Sequence, residues 1–257
     1  MKHTRVVLFY VAAAVMAVYA RCAQILYLTE ETSGFFKSES HSLALALSVF
    51  IIMAALSAAA VAFFDERQPR RIDNPSALLF WAGIPLAVAF LYEFLFVEYV
   101  TDSALFIILT NIFAVLSALS MMLLPVQKIF PQYKKIFCVL YTFPLLFFLF
   151  KLICVFTVYS TVSVIASNVF YLAFLSAALV FFLLVAKLES GVPVRSVLLL
   201  PVGIICSIFS LCCFVPQIIA FALSAQSFVH DNIHGVFLCG AVAIYSTVYT
   251  FSLYKKE

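Results

Sequence analysis

Eight long apolar windows constrain this chain more than anything else in it, at about residues 6–28, 43–64, 76–99, 104–126, 136–159, 162–186, 197–219 and 235–254. Each is about 20 residues or longer, enough to cross a hydrocarbon core as an α-helix. Inside a bilayer no water satisfies backbone N–H and C=O groups, so a spanning segment must be a helix or part of a closed barrel. The windows lack the alternation of short barrel strands. The expected fold is therefore all-α, a polytopic integral membrane bundle of about eight transmembrane helices in a single domain over residues 1–257.

The charge balance agrees. The chain is 66% apolar and 11% charged, against about 25% charged in an ordinary soluble domain. The net charge of +3 is spread over short loops and forms no basic patch with interleaved aromatics, so no nucleic-acid partner is expected. Met1 to Arg5 with Val18-Tyr19-Ala20 has the outline of a cleaved leader, but the apolar run resumes after Arg21 and continues to Leu28, so this window reads as a spanning helix.

Orientation follows from alternate loops. One side receives Lys2, Arg5, Arg67, Arg70, Arg71, Lys128, Lys134, Lys135, Lys187, Arg195, Lys255 and Lys256, and the other only Lys37. Positive-inside bias then puts both termini in the cytoplasm, with a prokaryotic plasma membrane as the expected location. Tyr27, Tyr99 and Tyr159 mark the outer interface, Tyr133 and Tyr254 the inner one, and Trp81 reads as an inner-end anchor.

Three charged residues lie well inside the windows, away from their ends: Arg21, Glu93 and Lys151. A charge in hydrocarbon costs at least ~2.5 kcal/mol and normally faces a partner or a wet cavity. Counted from the cytoplasmic rung, all three sit roughly 24 to 27 Å up their helices, in the outer third of the membrane. Gln24, Asn111, Asn168 and Gln217 share that zone. This layer is the candidate ligand-binding site, open to the outer side, with Arg21 and Lys151 offering donors to a small polar or anionic ligand and Glu93 balancing one of them. The competing reading is structural: an Arg21–Glu93 pair that locks two helices, or side chains that snorkel to the interface.

Other features are weaker. Pro85, Pro144 and Pro201 fall in the inner halves of the third, fifth and seventh windows, where they can kink a helix. Ala54, Ala58 and Ala62 form a small-residue stripe, which predicts a central position for the second helix. The Phe- and Leu-rich fifth and sixth helices are expected to face lipid. Pro85 to Glu93 and Pro144 to Lys151, each followed by a similar phrase (Thr110-Asn111-Ile112-Phe113 and Ser167-Asn168-Val169-Phe170), outline a weak parallel hairpin repeat.

Seven cysteines lie in apolar segments without a CxxC pair and read as small buried residues. His230 and His234 are four apart but lack a third ligand, so no metal is expected. There is no GxSxG, HExxH, paired intramembrane Asp or Walker motif, so neither catalytic residues nor a cofactor are expected, and Glu93 reads as the only acid in the core. Val215-Pro216-Gln217-Ile218-Ile219 resembles the Pro-Gln signature of PQ-loop and SWEET-like transporters, with Cys22-Ala23-Gln24-Ile25 as a distant second copy. The resemblance covers a handful of residues. The first copy lacks the proline, and the spacing and helix number depart from that family, so its fold and sugar-binding residues do not carry over. The leading functional expectation is small-solute binding or transport; the alternative is an accessory or sensory component whose partner is another membrane protein.

Overall fold

The computed structural model describes residues 2–30, 35–64, 77–96, 104–123, 139–161, 166–190, 196–223 and 234–252. These contain eight α-helices: α1 (Lys2–Ala23), α2 (His41–Phe63), α3 (Ala77–Phe96), α4 (Ala104–Leu123), α5 (Thr142–Thr161), α6 (Ala166–Glu189), α7 (Ser196–Ala222) and α8 (His234–Ser252). Seven are long and apolar enough to cross a membrane, and α5 carries a shorter apolar stretch. The protein is thus an all-α bundle with the composition of a membrane-spanning domain. Tyr99, Tyr133, Cys138, His230, Tyr254 and the cations Arg67, Arg70, Arg71, Lys128, Lys134, Lys135, Arg195, Lys255 and Lys256 lie outside the described residues.

α7 is the hub and packs against α1, α2, α6 and α8. From it a ring runs α6, α5, α4, α3 and α8 and closes back on α7, while α1 and α2 pack together and dock on its other side. The α7–α8 contact is close because both helices give up side chains there. A Cβ at Gly203 would collide with the Thr250 side chain, and one at Gly240 would sit 2.7 Å from the Phe214 ring. Lipid tails are as apolar as Leu, so such packing, rather than escape from water, holds the helices together. A polar chain reinforces it. Ser207 donates to the Tyr10 hydroxyl at 2.8 Å, Tyr10 and Thr247 share a bond at 3.0 Å, and Thr247 donates to the Ala243 carbonyl, linking α7, α1 and α8.

The ring is filled by aromatic side chains. Phe90, Phe147, Phe148, Phe174, Phe181 and Phe182 are fully buried. Phe90 meets Phe147 at 4.9 Å, Phe148 stacks on Phe182 at 5.2 Å, and Phe182 stacks on Tyr245 at 5.9 Å. This corrects the expectation that the Phe-rich α5 and α6 turn their aromatics to lipid. In hydrocarbon both destinations are apolar, and edge-to-face and stacked ring contacts favour the interior.

Two further corrections concern α2 and α5. The small residues of α2 do pack, with Ala55, Ala58, Ala59 and Ala62 buried. The helix is nevertheless peripheral, with 28% of its spanning window buried against 61% for α7 and α8. Pro144 lies in the first turn of α5, just after a turn at Tyr141, where a missing N–H costs nothing. Pro85 lies inside α3, and Pro201 and Pro216 inside α7. Trp81 is exposed, as an interfacial anchor would be.

Candidate functional site

The three intramembrane charges are all buried, Glu93 to 0% exposure and Arg21 and Lys151 to 2%. None of them snorkels. They do not share partners, however: at one site Glu93 pairs with Lys151, whereas at the other Arg21 meets Gln24 and Phe170.

In the first, the Lys151 ammonium donates to Glu93 Oε2 in a buried ion pair. The pair joins α3 to α5, which both pack on α4 and make little close approach to each other. Lys151 also lies 5.6 Å from the Phe147 ring centroid and 5.9 Å from that of Tyr171, within cation–π range. Glu93 therefore pairs with Lys151, and the structural alternative of an Arg21–Glu93 lock is corrected. Glu93 and Lys151 neutralise each other, and their surroundings are aromatic.

The second site is built at the end of α1. Arg21 occupies the last turn of that helix, where the macrodipole favours a cation. The helix then widens into a π-helical turn over Gln24–Leu28. Thr29 Oγ1 donates to the Gln24 carbonyl at 2.8 Å and so supplies a partner at the helix end. Arg21 Nη1 donates to Gln24 Oε1 at 2.9 Å, and Gln24 Nε2 donates to the Ala44 carbonyl at 2.7 Å and to Ser48 Oγ at 2.9 Å. Arginine offers only donors and the carbonyl only acceptors, so the orientation of the Gln24 amide is determined. The Arg21 guanidinium carbon lies 4.3 Å from the centroid of the Phe170 ring. Arg21 Nε is buried without a hydrogen-bond partner, and no carboxylate pairs with Arg21 among the described residues.

Beside this second site is a cavity of about 530 Å³. It lies near the α1–α2 connection, bounded by Phe36, His41, Ser48 and Ile52 on one side and by Phe170 and Phe209 on the other. Ser48 and Phe170, the two side chains that touch Gln24 and Arg21, are thus part of the cavity wall.

The remaining candidates have no contact with Arg21, Glu93 or Lys151 among the hydrogen bonds and ion pairs of the described residues. Asn111 Oδ1 is buried without a hydrogen-bond partner on α4, and Asn168 on α6 and Gln217 on α7 are half-buried. The described cysteines are free thiols, buried except for the half-buried Cys22, as small core residues would be. Sequence reasoning missed a second buried acid. Glu189, the last residue of α6, is 5% exposed and accepts a 2.8 Å hydrogen bond from the Tyr249 hydroxyl. The expectation that Glu93 is the only core acid is corrected. A terminal Glu two residues from Lys187 reads as solvated in sequence, and only the buried Tyr249 opposite it could have hinted otherwise.

Compared with protein-family models, curated proteins and solved structures, the chain matches none. What the sites can do rests on their own geometry.

Proposed function

We propose that the protein binds a small anionic or polar solute within its membrane domain at Arg21 and Gln24, and that Glu93 and Lys151 tie the bundle together rather than touch the solute. One observation carries this reading: Arg21 is buried with no carboxylate opposite it among the described residues, and its two side-chain contacts, Gln24 and Phe170, lead directly to a cavity wall. A charge held in hydrocarbon is normally matched by a partner. An incoming anion would match it here, with the guanidinium and the amide as its donors.

The test is binding to the protein in nanodiscs. A panel of small acids should show saturable binding that Arg21→Gln removes and that the paired substitution Glu93→Gln with Lys151→Met preserves. Uptake of the bound acid into proteoliposomes then distinguishes a transporter from a binding protein. The closed Glu93–Lys151 pair favours a second reading, an accessory membrane component with purely structural charges. Under that reading Arg21→Gln changes stability or assembly and no acid in the panel binds.

A further inference from the structure

We propose that the solute is a lipid-soluble acid, one anionic head on a hydrocarbon body, and that it enters sideways from the membrane between α2 and α6. This rests on the reading of Arg21 as an anion site and adds the chemistry of the rest of the ligand. The cavity's volume, about 530 Å³, suits a small organic molecule. Its length along α2 runs from His41 to Ile52, roughly 16 Å at the helical rise. Among the described residues only His41 and Ser48 bring polar side chains to it; the rest of that lining is Phe, Leu, Ile, Val and Ala. A hydrated anion such as acetate would lose water to these walls and gain little, whereas a hydrocarbon body matches them.

The route follows from the helices around the cavity. Among the described residues α2 and α6 both pack on α7 but approach each other little, and the cavity lies between them. The end toward the α1–α2 connection is roofed by Phe35 and Phe36. That roof is pinned by backbone bonds from Glu30 N to the Phe35 carbonyl at 2.8 Å and from Lys37 N to the Leu28 carbonyl at 2.9 Å. Entry from the side, from lipid, is therefore the open path.

Phe170 is the gate. Its ring lies against the Arg21 guanidinium and also lines the cavity. Rotation of that one side chain would bring the cavity to Arg21, whose Nε has no acceptor. A carboxylate placed there exchanges a cation–π contact for a charge-assisted hydrogen bond and neutralises the site.

The experiment is calorimetry on the protein in phosphatidylcholine nanodiscs, with empty nanodiscs subtracted, using decanoate, decan-1-ol and acetate. Decanoate should bind saturably, with decanol at least tenfold weaker and acetate showing no heat at millimolar concentration. Ala173→Trp, which fills the cavity, should weaken decanoate at least tenfold. Ile52→Trp, at the exposed end of the cavity, does the same where Ala173→Trp fails to fold. Arg21→Gln should lower decanoate to the level of decanol. Acetate binding as tightly as decanoate, with loss in Arg21→Gln and no effect of the tryptophans, would overturn the hydrocarbon body while leaving the anion site standing. Decanol equal to decanoate, with Arg21→Gln silent, would overturn the anion site while leaving the hydrocarbon body standing. Saturable binding of none of the three would overturn both.

Discussion

Neutralising one member of the Glu93–Lys151 pair should damage the protein far more than neutralising both. Glu93 is fully buried and Lys151 is 2% exposed, so neither can reach the interface when its partner is lost. Breaking a buried pair by removing one charge costs about 3–5 kcal/mol, because the other stays buried and uncompensated. Replacing both by neutral groups of similar shape is often close to neutral. Glu93→Gln and Lys151→Met should each lose about 3–5 kcal/mol, while the double variant should lie within about 2 kcal/mol of the native protein. For a chain of this size about 1 kcal/mol moves Tm by roughly 2–4 °C, so the single variants should melt roughly 6–20 °C lower. Thermal unfolding followed by intrinsic fluorescence in mixed micelles reads all four proteins. Single losses below about 1 kcal/mol, or a double variant that equals the sum of the singles, would refute the pairing argument.

Other contacts give sharper local tests. Tyr249→Phe removes the donor to Glu189 and should cost about 1.5–3 kcal/mol, read as a lowered Tm in the same micelles. Gly203→Ala drives a methyl into Thr250 and should destabilise by about 1–3 kcal/mol; adding Thr250→Ala should restore most of the loss. Thr250→Ala alone should stay within about 1 kcal/mol, since Thr250 Oγ1 is buried without a partner. In a Cys138→Ser background, a membrane-permeant maleimide should label Cys22 first, because the other described cysteines are buried; intact-mass spectrometry after partial labelling checks the order.

The helices themselves were legible because hydrocarbon permits few backbone solutions, so long charge-poor windows translate almost directly into α1 to α8. What lay inside the bundle was not legible. Hydropathy separates lipid from water but not lipid from core, so Phe147, Phe174 and Phe182 looked like lipid-facing residues and are its centre. The same blindness applies to rotation about a helix axis. Residue counting assigns Arg21, Glu93 and Lys151 one expected depth, but which of them face each other depends on angles that counting does not give. The π-helical turn at Gln24 adds a local change of phase with no sequence signature, and it sits where Gln24 meets Arg21 and Ser48. Glu189 was hidden for another reason: its burial comes from Tyr249 on α8, far away in the chain.

The most direct test of the account is the Arg21 side chain itself, observed by nuclear magnetic resonance of protein labelled with nitrogen-15 at arginine Nε, in nanodiscs with and without decanoate. Arg21→Gln assigns its resonance. The account predicts an Nε–H protected from solvent exchange without ligand and shifted in saturable fashion by decanoate, with no such shift from decanol. A resonance that exchanges as fast as that of a free arginine in water, or one that decanoate leaves unmoved, would contradict it.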